Sequence, residues 1–208
     1  MNLFAVCTEN GQRLKNGYEH GFLEEEKPRA EPFLDTIRRK GRLSINAKPT
    51  SLLLVLQGGA YYNAYRIAQR KSEAEGTDRE ALLREIFGDS YAQRTAFDCH
   101  FAEGDSFLYS ALNIGNAGAT SYGEYCVVWR DDLRPEYQVA YLYGDSLKHF
   151  VHSDPPIIDE AELRSSGACH ATKEYLALSK HRKVALTGTE KQWAECLCSD
   201  NPKEYIEA

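Results

Sequence analysis

Between Arg42 and Asn46 the sequence RLSIN sets apolar Leu43 and Ile45 among polar neighbours, the period-2 alternation of a half-buried strand. Pro49 closes that strand: proline keeps Lys48 out of helical geometry yet suits the first turn of a following helix. The apolar run from Thr50 to Gln57 predicts that helix, with Gly58 and Gly59 as its stop. Thr77 and Glu80 have the spacing of a capping box, and Leu82, Leu83, Ile86 and Phe87 then stripe one helical face as far as Gly88. YCVVW (125–129) and QVAYLY (138–143) are rich in β-branched and aromatic residues. They predict two adjacent central strands, with the polar, proline-containing stretch between them as a hairpin connection. The C-terminal third predicts a helix over Ala171 to Ser179, a short basic strand near Lys183 to Leu186, a helix capped by Thr189 with Gln192, a turn at Asn201 and Pro202, and a last strand at Tyr205 and Ile206. Short strands and helices without regular βαβ alternation predict an α+β fold.

Length and composition narrow this picture. A chain of 208 residues suits one core rather than two. The acidic stretch from Gly21 to Pro32, GFLEEEKPRAEP, reads as a linker. Residues 1–32 are therefore expected to be an N-terminal extension, and residues 33–208 the folded domain. With 42% hydrophobic and 27% charged residues the chain has the composition of a globular protein. The longest uninterrupted apolar run, Leu52 to Leu56, is too short for a membrane span, and no secretory signal precedes it. Six scattered cysteines read as free thiols in a reducing compartment. This predicts a cytoplasmic location, in the organism itself or in a host cytosol after delivery. A net charge of -6 and a pI near 5.6 argue against nucleic acid as a partner.

Three stretches could carry chemistry. The first runs from Ser44 to Ser72, where a strand ends in Asn46 and a helix leads into the glycine-tyrosine turn GGAYYNAY. Glycines admit a ligand close to the backbone, and Tyr61, Tyr62 and Tyr65 offer flat aromatic surfaces. Arg66 and Arg70, four residues apart, would share a helix face and could clamp a diphosphate. A helix-to-loop corner whose tyrosines fill the core would read the same way. In the second stretch, FLYSALNIGN (107–116), Tyr109 and Ser110 enter a glycine-containing loop. The third is KEYIEA, where Glu204 and Glu207 flank a short strand and a carboxylate could stabilise positive charge developing on a sugar. Cys99 beside His100 and Cys169 beside His170 also leave open a cysteine-dependent hydrolase that pairs residues across space. The single tight pair Cys196 and Cys198 falls short of the two pairs normal for structural zinc, so no metal is expected. A non-enzymatic binding domain using the tyrosine-rich turn is the third reading.

The blocks VLQGGAYYNAYRIAQRKS, LREIFGDSY, FLYSALN, SYGEYCVVWR, YLYGDS and EYIEA, in that order over roughly Arg42 to Ala208, resemble an uncharacterised bacterial domain family with an ADP-ribosyltransferase-like layout. CteC-type effectors, which modify a threonine of host ubiquitin, are similar in class. The resemblance implies a split β-sheet core with short helices, NAD as co-substrate, and a protein substrate such as ubiquitin. By position it implies that Asn46, which stands where such enzymes carry His or Arg, holds the adenosine ribose. Tyr109 would stack on nicotinamide with Ser110 beside it, and Glu207 would bind the nicotinamide ribose hydroxyl. Tyr61 and Tyr65 are further candidates for the aromatic role.

Overall fold

Side-chain alternation on short strands divides the molecule into two layers around one sheet. The computed structural model describes residues 1–58, 60–130 and 138–208. Among these the strands are β1 (Arg42–Ala47), β2 (Ala111–Asn113), β3 (Tyr125–Val128), β4 (Ala140–Tyr143), β5 (Val151–His152), β6 (Ile157–Ile158), β7 (Gly167–Cys169) and β8 (Ile206–Glu207). The helices are α1 (Leu3–Gly21), α2 (Lys27–Lys40), α3 (Pro49–Gly58), α4 (Ala64–Glu75), α5 (Arg79–Phe87), α6 (Tyr91–Cys99), α7 (Ser146–Phe150), α8 (Glu160–Ser165), α9 (Lys173–Thr187) and α10 (Glu190–Leu197). Six strands form an antiparallel sheet in the order β3-β1-β2-β8-β4-β7, and β5 pairs with β6 separately. The fold is α+β, in agreement with the element pattern.

Leu43 pairs with Leu112, Tyr143 with Ile206 and Tyr141 with Ala168. These residues put one face of the sheet into the main core, which Phe33, Leu34 and Ile37 of α2, Leu176 and Leu178 of α9, and Trp193 and Leu197 of α10 complete. The other face meets a second core of Phe97, Phe101, Phe150 and Leu163, to which β4 contributes Leu142. Helices α4 and α5 pack on each other through Tyr65, Ala68, Leu82 and Leu83.

The reading of residues 1–32 as an extension or linker is corrected by α1, which is a structural wall. Leu3 and Cys7 enter the second core, while Leu14 and Tyr18 pack against the main one. Between them α1 crosses the edge of β7. There the Asn10 amide donates to the Gly167 carbonyl of β7 at 2.6 Å, a group that an open sheet edge would leave unpaired, and to the Ser165 carbonyl at the end of α8 at 3.1 Å. Gly11 makes the crossing possible: a Cβ there would lie 2.0 Å from Thr172 Oγ1 and 3.4 Å from Ala168 Cα. Gly11→Val is accordingly expected to destabilise the protein by about 1–3 kcal/mol, measured by urea unfolding. An unchanged midpoint would contradict the close crossing.

The acidic, proline-containing stretch also has a helical logic. Glu26 stands at the N-cap position of α2 without a side-chain capping hydrogen bond, Pro28 lies in the first turn, and Arg38, Arg39 and Lys40 occupy the last, so proline and basic charge both follow the helix polarity. Three further expectations are corrected. β3 and β4 are not adjacent, because β1, β2 and β8 lie between them; the connection read as a hairpin, 131–137, lies outside the described residues, as does Gly59. Lys183 to Leu186 continue α9 instead of forming a strand. The side-chain cap of α5 comes from Asp78, which accepts from Ala81 N, not from Thr77. The capping box of α10, with Thr189 and Gln192, is present as expected.

Candidate active site

Strand β8 is two residues long yet central. Glu207 pairs with Ala111 of β2 on one side and with Leu142 of β4 on the other. Ala111 in turn pairs with Ser44 of β1. The row Ser44, Ala111, Glu207, Leu142 thus crosses the middle of the sheet on the face opposite the main core. The backbone after Glu207 is tied down, because Ser110 N donates to Ala208 O at 2.8 Å and Ala208 N to Ser110 O at 2.7 Å.

Glu207 is buried, with 6% of the residue exposed. Its Oε2 accepts from Ser146 N at 2.8 Å, and its Oε1 accepts from the Tyr205 hydroxyl at 3.3 Å. Burial drives its pKa up to about 7. Arg94 and the Ser146 hydrogen bonds oppose that shift, and the neighbouring Asp145 carboxylate adds to it. Asp145 is fixed by its own duties: Oδ1 caps α7 through Leu147 N and Lys148 N, and Oδ2 accepts from the Tyr122 hydroxyl at 2.6 Å.

Helix α6 brings the remaining charges. Arg94 and Asp98, one turn apart, approach to 3.7 Å. Asp98, 1% exposed, accepts from the hydroxyls of Tyr65 at 2.9 Å and of Tyr109. Burial raises the Asp98 pKa, while these hydrogen bonds and Arg94 restrain it. The Arg94 guanidinium lies 3.9 Å from the centroid of the Tyr109 ring and donates to Ser146 Oγ at 3.3 Å. Burial also pushes the Tyr109 phenol well above its usual range. The network therefore holds one guanidinium, Arg94, against the three carboxylates Asp98, Asp145 and Glu207. Its excess is negative, and it is largely shielded from water.

Of the residues singled out in the sequence, Glu207, Tyr109 and Tyr65 belong to this network. Ser110 stands beside Tyr109 but donates its hydroxyl to Ala208 O at 3.2 Å. Tyr61 packs edge-on against Trp129, and Tyr62 lies under Arg70 at 4.7 Å. Arg66 is exposed on α4, and its backbone N–H donates to the Asn63 cap. The Asn46 amide donates to the carbonyls of Ala117 and Gly123, both at 3.1 Å, and so pins the loop that carries Tyr122. Asn46→Ala is expected to speed hydrogen exchange across 117–123 and to cost about 1–2 kcal/mol; unchanged exchange there would remove the anchoring role. Glu204 gives His181 its backbone carbonyl at 2.9 Å.

Arg94, Asp98, Tyr122, Asp145, Ser146 and Tyr205 were not assigned roles from the sequence. Tyr122, the Asp145–Ser146 pair and Tyr205 lie inside the SYGEYCVVWR, YLYGDS and EYIEA blocks, whereas Arg94 and Asp98 offer only an i,i+4 charge pair. As for the cysteine alternatives, Cys169 Sγ lies 3.4 Å from Thr172 Oγ1, His170 Nδ1 lies 3.0 Å from the Tyr141 hydroxyl, and Cys99 is exposed at the end of α6. Among the described residues no group of three His, Cys, Asp or Glu side chains could hold a metal ion, and no helix is long and apolar enough to cross a membrane. Comparison of the chain with family models, with curated proteins and with solved structures gives no match.

Proposed function

We propose that the protein is an NAD-dependent mono-ADP-ribosyltransferase that modifies a protein side chain, with Glu207 as its central carboxylate. The observation that carries this reading is the charge imbalance around Glu207: three buried carboxylates face one guanidinium, beside the half-buried ring of Tyr109. Such a site favours a substrate that is positive where it reacts. The nicotinamide ring of NAD carries a positive charge, and the ribose gains oxocarbenium character as that ring departs. Fixed negative charge aimed at that centre stabilises the transition state more than the ground state.

In this reaction the bond between ribose C1′ and the nicotinamide nitrogen breaks, and nicotinamide leaves with the electron pair as a neutral base. The acceptor oxygen forms the new bond to C1′, and its proton passes to solvent. Glu207 would accept the ribose hydroxyl, Tyr109 would lie against nicotinamide, and Ser146 N–H with Tyr205 would orient the carboxylate. Asn46 and the turn bearing Tyr61, Tyr62 and Arg66 would form the adenosine side, Asn46 acting in part through the loop it anchors. A split-sheet transferase layout is part of this proposal. It is supported by the convergence of residues from five blocks of the family-like sequence on one network: Tyr65, Tyr109, Tyr122, Ser146 and Glu207.

The test incubates the protein with NAD, with ubiquitin in one arm and a cell lysate in the other, followed by intact-mass analysis. An added ADP-ribose and released nicotinamide are expected, retained in Cys99→Ala and lost in Glu207→Ala. If neither NAD is consumed nor mass added in either arm, the transferase reading fails. Because Glu207 must be ionised to act, kcat/KM is expected to rise with pH through about 7, following its raised pKa. A flat profile between pH 5.5 and 8 on the order of twofold or less would exclude this role for Glu207.

A further inference from the structure

Glu207 is buried, yet the transfer proposed above requires it to lose its proton near neutral pH. That proton needs a way to water. Among the described members of the network, Ser146, Tyr205, Asp145 and Asp98 are buried. Arg94 keeps its proton at any ordinary pH, and the Tyr109 hydroxyl is committed to Asp98. Tyr122 differs: it is 47% exposed, and its hydroxyl sits on the Asp145 carboxylate. We propose that Tyr205 and Tyr122 form a proton wire that carries a proton from Glu207 to Asp145, at the edge of the network that meets water.

The direction of each hydroxyl supports the wire. Tyr122 donates to Asp145 Oδ2 at 2.6 Å, which leaves only its oxygen lone pairs for another donor. Tyr205 is that donor. Its hydroxyl has two acceptors within reach, Glu207 Oε1 at 3.3 Å and the Tyr122 oxygen, and the two rings lie 6.4 Å apart with a tilt of 59°. When Glu207 is ionised, Tyr205 points its proton at the carboxylate. When Glu207 is protonated, its own O–H turns to the Tyr205 oxygen and Tyr205 turns to Tyr122. The four groups then run donor to acceptor in one sense and end on a carboxylate. The loop that carries Tyr122 is held in place by Asp200, through Thr120 Oγ1 and Ser121 N, both at 2.7 Å, and by Asn46 of β1.

The step balances without a further reactant. The Glu207 O–H bond breaks as a new one forms on the Tyr205 oxygen; the former Tyr205 proton bonds to Tyr122, and the former Tyr122 proton to Asp145. Glu207 is left as a carboxylate and Asp145 as an acid, which gives its proton to water beside the exposed ring. Burial, and after it the neighbouring carboxylates, raise the pKa of both phenols. Neither is therefore released as a free phenolate, and the protons move in step. The catalytic use of the wire rests on the transferase reading: the proton of the acceptor oxygen passes to Glu207 as the bond to C1′ forms, and the wire returns Glu207 to its ionised state.

The experiment follows the full chain, without substrate, at about pH 7, where Glu207 titrates. Relaxation dispersion of the Glu207 carboxyl carbon NMR signal, assigned by its loss in Glu207→Gln, reads the rate of proton exchange. Tyr122→Phe and Tyr205→Phe are each expected to slow exchange by about tenfold or more. Tyr125→Phe, at an exposed position on β3, is expected to leave it unchanged. A hydroxyl that only braces the structure would move the titration or urea midpoint and leave the exchange rate as it is. Should Tyr205→Phe fail to fold, Tyr122→Phe decides alone. An unchanged rate in Tyr122→Phe, or equal slowing in Tyr125→Phe, would overturn the wire. Because no NAD enters this measurement, slowed exchange in a protein that consumes no NAD would keep the wire and remove only its catalytic use. In the active protein, Tyr122→Phe is expected to lower kcat by about tenfold at constant KM for NAD and to enlarge the solvent deuterium isotope effect, since proton release then limits turnover.

Discussion

Asp98→Ala is expected to destabilise the protein by about 3–5 kcal/mol, because it removes the carboxylate from a buried charge network and leaves the other members in place. Arg94 would keep its charge with 13% of its side chain exposed, and the Tyr65 and Tyr109 hydroxyls would lose the acceptor they share. Each stranded phenol adds a desolvation penalty of about 1–3 kcal/mol where no water reaches it. Urea unfolding at pH 7 measures the loss. Asp98→Asn, which keeps an acceptor oxygen but not the charge, is expected to fall between the wild type and Asp98→Ala. The double variant Arg94→Met with Asp98→Ala is expected to recover part of the loss, since the unpaired guanidinium goes with it. A loss below about 1 kcal/mol for Asp98→Ala would mean that the two tyrosines and Arg94 find other partners.

Glu207→Gln is expected to abolish transfer of ADP-ribose while making the fold more stable at alkaline pH. Glutamine keeps an acceptor for Ser146 N–H and fills the same volume. Its amide removes the charge that burial and Asp145 disfavour. The sign follows from the raised pKa. Between the ordinary value of 4.5 and about 7 the folded state holds a proton that the unfolded chain has released, so wild-type stability falls as pH rises through this window. The full shift corresponds to about 3 kcal/mol, lost by pH 8 and regained below pH 4.5. Wild type and Glu207→Gln should therefore have similar Tm values near pH 4.5 and diverge toward pH 8, with the variant higher. A variant less stable than wild type at pH 8 would show that the ionised carboxylate is worth more to the fold than its burial costs. Retained transfer would remove Glu207 from the chemistry.

The fold was legible where structure is local. The alternation of Leu43 and Ile45, the proline at 49 and the reciprocal pair Thr189 and Gln192 each act within a few residues, and β1, α3 and α10 form where they predict. Strand order was not legible. YCVVW and AYLY look like hairpin partners, yet β1, β2 and β8 separate them, and nothing in either segment encodes a partner brought from residues 206 and 207. The role of α1 was hidden because the acidic, proline-containing stretch from Gly21 to Pro32 reads as a linker and sets residues 1–32 apart from the domain, whereas Gly11 serves close packing on β7 and Asn10 closes the sheet edge.

The site shows the same division. Glu207 and Tyr109 stood out through sequence blocks, but the reason for their burial lies in α6. Arg94 and Asp98 look on paper like an ordinary helix-surface ion pair, the commonest arrangement at that spacing. Only the tertiary fold turns them inward, under Tyr65 and Tyr109. Asp145 has no role legible in the YLYGDS block; the structure gives it both the cap of α7 and the Tyr122 hydroxyl.

The sheet itself separates two electrical environments. The row through Ser44, Ala111 and Glu207 leads into a buried, carboxylate-rich network, and the reverse side, past Leu43, carries guanidinium groups. A net charge of -6 conceals this polarity, which gives the molecule a preferred heading in the field of a charged neighbour. A partner with a basic face would meet the Glu207 side first, leaving the cationic side turned outward to solution.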